Sequence, residues 1–339
     1  MSVLDQVGKG FPALGRIARM PLFSRLPSIW ALIALIVLAA ATSPIDADGF
    51  PIFFQLGNIT DILRQMTIIG LIALAMTFVI LTAGIDLSVG SILALSTALV
   101  ATAVTEGIPG IPEGLQIAAA IGIAMAACAA VGALNGAVIA GLKVQPFIAT
   151  LATMIGIRGL AKWFTSNENV DIGFGDDRAA RFADAFDDKW LMIGIYAVSS
   201  VIFWLVLVVT VFGRHMRAIG DNAKASVYAG LPIFRTQIWV YTLSGLMAGL
   251  AGILYAAENH QGNPNAGVAY ELDAIAAVVI GGTKLSGGQG TIVGTIVGTL
   301  IIGVLTNMLR LNNVDSNMEM MIKAVLIVIA AALQHRKPS

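Results

Sequence analysis

The sequence predicts an all-α, polytopic integral membrane protein with about ten transmembrane helices, and three observations support this fold class. The 339 residues have a mean hydropathy of +0.85. Only 12% of them are charged, whereas soluble globular domains carry about 25% charged residues. The third observation is a series of ten apolar segments. A helix needs roughly 20 residues to cross a bilayer, and most of these segments have about that length. These segments cover residues 28–42, 59–83, 87–105, 115–141, 146–165, 190–212, 236–257, 271–283, 291–309 and 317–334.

The first and eighth segments are short, so we expect them to begin earlier, to tilt, or to break within the bilayer. The first one also resembles the apolar part of a secretory signal peptide. We expect it to remain as an uncleaved first span, because the stretch before it is long and ends at Pro27.

The positions of Lys and Arg indicate the orientation. If the N-terminus is inside, twelve of the twenty basic residues lie in inner segments and four in outer loops. Short loops rich in Lys and Arg stay on the cytoplasmic side, so both termini are expected to be cytoplasmic. The predicted organisation is a cytoplasmic segment at 1–27, a transmembrane domain at 28–334 and a cytoplasmic tail at 335–339. It places residues 213–235 in the cytoplasm and the acidic loop 166–189 outside.

Charged residues within the predicted spans lie near the outer ends of those spans rather than at mid-depth. Snorkelling and local pairing account for them without a functional role. Acidic residues at mid-depth would mark a proton path, and none is evident, which argues against a proton-coupled pump. The residues concerned are Asp61, Arg64, Arg158, Lys162, Glu319 and Lys323.

The polar stretch at 213–235 separates two apolar runs. Its pattern predicts a short amphipathic helix that ends at Gly230-Leu231-Pro232. Such a helix lies at the membrane surface and is suited to docking on a soluble partner. The alternative is that its basic residues serve only as a positive-inside anchor.

Two weaker patterns concern the apolar part of the chain. Residues 84–90 and 282–288 share the pattern GxxLSxG, which is typical of broken helices near a transport path; chance similarity is the alternative. Small residues recur at four-residue spacing, which favours close packing of helices in lipid. They are Gly132 and Gly136, Gly245 and Gly249, and Gly290, Gly294 and Gly298.

Residues 285–289 read LSGGQ, which is the signature sequence of ABC ATPases. We predict no nucleotide site here, because phosphate binding needs a GxxxxGK[ST] loop at a helix N-terminus and the chain has none. The single cysteine, Cys128, provides neither a disulfide framework nor a cysteine metal site. We therefore predict no metal site and no cofactor bound by this chain.

Three stretches together resemble the permease subunits of ribose-type (carbohydrate class 2) ABC importers, which are related to the branched-chain amino-acid permeases. They are ILTAGIDLSVGSILAL at 80–95, RAIGDNAKASVYAGL at 217–231, and PNAGVAYELDAIAAVVIGGTKLSGGQGTIVGT at 264–295. The resemblance implies a type II ABC importer-like permease fold in the bacterial inner membrane. It further implies a second permease copy, a periplasmic sugar-binding protein, and a separate ABC ATPase that binds ATP and Mg. No nucleic-acid partner is expected.

The resemblance implies that the polar stretch at 213–235, called the coupling segment from here on, holds the helix that docks on the ATPase. The residues implied there are Arg217, Gly220, Asp221, Asn222, Ala225, Ala229 and Gly230. A second set of polar residues is a candidate for the translocation path or for contact with the binding protein. Hydrogen-bonding side chains of this kind suit a polyol, whereas a wet loop that only touches the binding protein is the alternative for its outer members. This set comprises Asp86, Ser88, Glu258, Asn259, His260, Asn263, Asn265 and Asp273.

The expected function is that of a non-enzymatic permease subunit, which imports a monosaccharide or related polyol by alternating access while another chain hydrolyses ATP. The close alternative is a branched-chain amino-acid permease. A secondary transporter and a membrane scaffold or respiratory-complex subunit are the rivals from other classes. The first lacks coupling acids at mid-depth, and the second has no need of the coupling segment.

The predicted orientation can be tested with cysteines introduced singly at Asp177 and Ala223. Because the Lys and Arg bias places these positions on opposite sides, an impermeant maleimide added to intact spheroplasts should label Asp177→Cys and should label Ala223→Cys only after lysis. Labelling of Ala223→Cys from outside would contradict the orientation.

Overall fold

The computed structural model describes residues 28–335, and the regular secondary structure of this part is helical apart from one short pair of strands. The expected N-terminal segment, 1–27, and residues 336–339 of the expected tail lie outside the described residues. Each of the ten apolar segments coincides with a helix, and three further helices lie in the polar stretches between them. In chain order the helices are α1 (Ser28–Thr42), α2 (Leu56–Leu81), α3 (Val89–Glu106), α4 (Gln116–Leu142), α5 (Pro146–Phe164), α6 (Arg178–Phe186), α7 (Lys189–Val209), α8 (Val211–Asp221), α9 (Ala223–Tyr228), α10 (Ile233–Glu258), α11 (Tyr270–Ile280), α12 (Ile292–Leu311) and α13 (Ser316–His335).

Seven helices of the described part are long and apolar enough to cross a membrane, namely α2, α3, α4, α5, α7, α10 and α12. Helices α1 and α11 have 15 and 11 residues, which is below the range for a full span. These are the first and eighth apolar segments, which were expected to be short. The all-α, multi-pass membrane fold predicted from the sequence is confirmed.

The core is formed by the most apolar stretch of α2, residues 71–81, every one of which is buried. Helices α7, α10, α11 and α12 pack around it, and α10 also packs along α3 and α4. Helices α4, α5 and α7 expose large apolar side chains instead, such as Leu134, Ile155 and Val201. Exposed apolar surface of this extent suits contact with lipid.

Glycines bring several helices into close contact, as the four-residue spacing predicts. Gly132 of α4 lies against the backbone of Tyr241 in α10, and Gly245 of α10 lies against the backbone of Cys128. Gly298 of α12 packs in the same way on α11. These glycines are packing positions, where a side chain would push two helices apart.

Three non-helical breaks interrupt the bundle, at residues 82–88, 259–269 and 281–291. The strand β1 (Val170–Asp171) pairs antiparallel with β2 (Gln261–Gly262), which fixes the start of the second break to the 166–189 loop. The two GxxLSxG stretches fall mainly in the first and third breaks, so the repeated pattern marks two places where helices stop and restart.

Candidate functional site

The coupling segment forms two helices, α8 and α9, rather than the single short helix that the pattern predicts. Asn222 separates them because its backbone is extended, with φ −158°, while its side-chain oxygen accepts a hydrogen bond from the amide of Ala225 at 2.9 Å. This is an N-cap, and it starts a new helix at the point where α8 ends. The chain then turns at Gly230, whose φ of +73° is readily adopted only by glycine.

The two helices face different ways. Helix α8 buries Gly213, Met216 and Ile219 against the bundle. Helix α9 buries only Ser226, whose hydroxyl donates to the carbonyl of Ala218 at 2.9 Å and so holds α9 on α8. The other residues of α9 are exposed and are not part of the protein's core.

The outer surface of α9 carries an aromatic and a branched apolar side chain. Tyr228 is 92% exposed and Val227 is 62% exposed. Both lie within the matched RAIGDNAKASVYAGL stretch, yet neither is in the set implied by the resemblance. The signal that could have found them is an aromatic and a β-branched residue inside a charged segment, because a short surface helix gains nothing from exposing them unless a partner covers them.

The structure places the seven residues implied for coupling in two environments, one facing the protein interior and one exposed. Gly220 points into the protein, against the end of α2 and against Gly288, and Arg217 is half-buried. The remaining five are exposed around α9 and its ends: Asp221, Asn222, Ala225, Ala229 and Gly230.

Asp86 is fully buried in the break at 82–88, where hydroxyl and amide groups surround it. Its Oδ1 accepts from the Ser88 amide at 2.9 Å and the Ser88 hydroxyl at 2.6 Å, and its Oδ2 accepts from the Ser244 hydroxyl at 2.7 Å. Asn135 donates to the Ser88 hydroxyl at 2.9 Å. The described residues include no basic side chain in an ion pair with Asp86.

At the opposite end of the bundle, charged side chains form ion pairs between helices. Arg64 pairs with Asp187 and, at 3.3 Å, with Glu258. Lys323 lies 2.9 Å from Glu319 and 3.3 Å from Asp273. Two of the charges noted within the spans therefore join helices at this end: Arg64 joins α2 to α10, and Lys323 joins α13 to α11.

A cavity of about 280 Å³ lies among these ion pairs, between α2, α10, α11, α12 and α13. Two carboxylates, two amides, two phenol groups and two basic side chains line it. Tyrosine rings with nearby acidic and amide groups can hold a small molecule that carries several hydroxyls. The polar lining includes Gln65, Tyr255, Glu258, Asn259, Tyr270, Asp273, Arg310 and Lys323.

The structure distributes the eight path candidates over separate environments. Glu258, Asn259 and Asp273 line the cavity. The ring of His260 lies 4.2 Å from the ring of Phe174 in the 166–189 loop. Asn263 turns inward and exchanges backbone hydrogen bonds with the Thr97 hydroxyl of α3, whereas Asn265 is exposed. Asp86 and Ser88 belong to the buried network described above.

Comparison with known proteins places this geometry in a family. The family model described as "Branched-chain amino acid transport system / permease component" matches residues 58–331. The ribose import permease protein of Escherichia coli K12 is 41% identical over 317 residues, covering 91% of this chain and 93% of that protein. The ribose import permease protein of Bacillus subtilis 168 is 44% identical, covering 85% of this chain and 87% of that protein. The fructose import permease protein of Rhizobium meliloti is 35% identical, covering 83% of this chain and 78% of that protein. No solved structure matches the chain.

The matches define a class of protein, the membrane-spanning permease components of ABC importers. The chain belongs to this family, and within it to the ribose-type branch that the sequence motifs indicate.

The buried network predicts a difference between two substitutions of Asp86. Asp86→Ala leaves the donors of Ser88 and Ser244 without an acceptor, and a buried unsatisfied polar group costs about 1–3 kcal/mol. Asp86→Asn keeps the acceptor for Ser88, and its amide can donate to the Ser244 hydroxyl. We expect a clearly lower melting temperature for the detergent-purified Asp86→Ala protein than for Asp86→Asn. Equal melting temperatures would show that the three hydrogen bonds do not hold this break.

Proposed function

We propose that this chain is the transmembrane subunit of an ATP-driven importer for a monosaccharide or a related polyol. The observation that carries the proposal is the exposed surface of α9, because a membrane-surface helix that presents Tyr228 and Val227 to solvent fits docking on a soluble protein. The ribose and fructose import permeases among the relatives support a sugar as cargo.

In this proposal the chain is not itself an enzyme. A separate ABC ATPase docks on α9 and the exposed ends of α8, and ATP and Mg bind to that subunit. The mechanism is alternating access: closure of the ATPases moves the coupling segments, and the helix bundle changes the side on which it is open. A second permease copy and a periplasmic binding protein complete the assembly, in the bacterial inner membrane with both termini cytoplasmic.

The cavity near Glu258 and Asp273 is the proposed place where cargo first meets this subunit. It lies at the end of the bundle that the Lys and Arg bias places outside. Its affinity is expected to be low, because the binding protein supplies the affinity and tight binding in the permease would trap the cargo. His260, in contact with Phe174 of the 166–189 loop, is proposed to help form the surface on which the binding protein docks.

A branched-chain amino acid is the second candidate cargo, since the matching family model carries that description and the cavity presents both acidic and basic groups to a zwitterion. Uptake of radiolabelled D-ribose by cells that express the complete transporter, measured with an excess of unlabelled leucine or unlabelled pentoses, separates the two. Competition by leucine alone would favour the amino acid.

The docking role of α9 predicts that Tyr228→Ala weakens binding of the ATPase. The side chain is almost fully exposed, so its removal should leave the fold and membrane insertion intact. Exposed aromatic residues are frequent hot spots, whose truncation costs about 2 kcal/mol or more, so recovery of the ATPase with a tagged permease should fall markedly. Phe174→Ala is the matched control, because Phe174 is 83% exposed at the other end of the bundle. Undiminished recovery with Tyr228→Ala would contradict the docking surface.

The cavity predicts different results for Glu258→Gln and His260→Ala. Glu258→Gln keeps the shape of a cavity-lining side chain but removes its charge, so uptake of D-ribose into proteoliposomes should fall at every concentration of binding protein. His260→Ala should lower uptake only when the binding protein is limiting, because docking can be restored by mass action. Basal ATP hydrolysis should be retained in both. Full uptake by His260→Ala at limiting binding protein would remove this residue from the docking surface.

A further inference from the structure

The coupling segment touches the end of α2 and the third break at a single point, here called the glycine junction and made of Gly220, Gly287 and Gly288. The amide of Gly288 donates to the carbonyl of Leu81, the last residue of α2, at 3.0 Å. A side-chain carbon at Gly220 would overlap both the Leu81 carbonyl oxygen and the Gly288 nitrogen. One at Gly287 would lie 3.0 Å from Ala83 and from the Cα of Gly220. The end of α8 is thus in backbone contact with the last residue of α2 and with the third break, residues 281–291. The third break in turn contacts Ala83 of the first break, residues 82–88.

Each of the two breaks is also tied to the helix bundle. Beyond Ala83, the first break carries Asp86, which accepts a hydrogen bond from Ser244 of α10. The third break leads into α12, where the hydroxyls of Thr295 and Thr77 lie 2.6 Å apart and join α12 to α2. A displacement of α8 therefore acts directly on the end of α2 and on the third break, which leads into α12. It acts on the first break, which leads into α3, through the contact of Gly287 with Ala83.

We propose that the glycine junction transmits the movement of the coupling segment to the two breaks, and that Gly220, Gly287 and Gly288 are positioning residues for transport. The proposal rests on the proposed function, in which an ATPase moves α8 and α9. It assigns a role to the LSGGQ stretch of this chain: two of its residues are the contact through which α8 reaches α2 and α12.

Backbone contact suits this role better than side-chain contact would. Side chains at the junction could change rotamer and absorb a small displacement, whereas packed backbones pass it on. The three glycines let the chains approach to this distance. Gly287 and Gly288 also have φ of +90° and +76°, a region that costs other residues roughly 1–2 kcal/mol.

Gly220→Ala is the most direct test, because its two expected effects have opposite signs. Within a helix, alanine is favoured over glycine by about 1 kcal/mol, so α8 itself should form at least as well as before. At the junction, however, the added methyl group meets two backbone groups that cannot rotate away. A loss of function in an assembled complex would therefore come from the junction and not from a weakened helix.

The experiment uses the complete complex of permease, ATPase and binding protein in proteoliposomes. Lys284→Cys places a reporter on the exposed surface of the third break, while the native Cys128 is buried. We expect the rate of labelling by fluorescein maleimide to change when ATP and vanadate are added. With Gly220→Ala, the ATPase should still copurify and hydrolyse ATP, but the change in labelling should disappear, and D-ribose imported per ATP hydrolysed should fall about fivefold or more.

Gly245→Ala is the matched control. A side-chain carbon there would overlap a backbone carbonyl just as severely, at Cys128 in the contact between α10 and α4, but away from the junction. It should lower the yield and melting temperature, while the labelling response and the import per ATP of the assembled complex stay unchanged. The same loss of coupling with Gly245→Ala would show a general packing defect and overturn the proposal.

Further outcomes separate the inference from the proposed function. If no ATPase copurifies with the unsubstituted permease, the proposed function fails. If the ATPase binds and hydrolyses ATP but labelling of Lys284→Cys never responds to nucleotide, the inference alone is overturned. Wild-type coupling in Gly220→Ala overturns it as well. Gly288→Ala serves as the second variant if Gly220→Ala does not assemble. If neither variant assembles, the labelling response of Lys284→Cys in the complex without a glycine substitution decides the question.

Discussion

Hydrogen bonding of the buried backbone is the constraint on which the rest of the structure depends. A buried amide or carbonyl cannot bind water or lipid, so a break inside the helix bundle is tolerated only where protein satisfies it. The three breaks meet this condition by different means. Gly288 donates to Leu81, Thr97 exchanges hydrogen bonds with the backbone of Asn263, and the Asp86 carboxylate accepts from the Ser88 amide. Arg158 donates to the carbonyl of Pro264 at 3.0 Å.

This constraint also explains how the helices are arranged. The breaks need protein on every side, so the helices beside them, α2, α3 and α12, occupy the centre of the bundle. Helices α4, α5 and α7 contain no break and can face lipid with apolar side chains. Charged side chains are joined in ion pairs at one end, whereas the other end carries the coupling segment. The cavity and the docking helix, which the proposed mechanism must connect, therefore lie at opposite ends of the same central helices.

The sequence predicts what is determined locally and fails where distant segments meet. Apolar runs of the right length correctly predicted ten helices, and the polar stretch at 213–235 correctly indicated helix outside the main bundle. The periodicity of apolar residues could not show that Asn222 divides that helix. The division depends on the extended backbone of a single residue and on its side-chain hydrogen bond to Ala225. Nor could it show that Gly220 faces inward, or that Gln65, Tyr255, Asp273 and Lys323 line one cavity. These facts depend on how helices far apart in sequence pack together.

The LSGGQ stretch shows why a motif has chemical meaning only in its structural setting. Phosphate is bound by backbone amides that point into a free site, usually at a helix N-terminus or in a glycine-rich loop. Here the amides of Gly287, Gly288 and Gln289 donate to the carbonyls of Lys284, Leu81 and Gly287. Donors that are occupied in this way are not free to bind an anion. The same glycines that would surround a phosphate in an ATPase instead allow three segments of backbone to touch, and in that contact they serve the coupling segment.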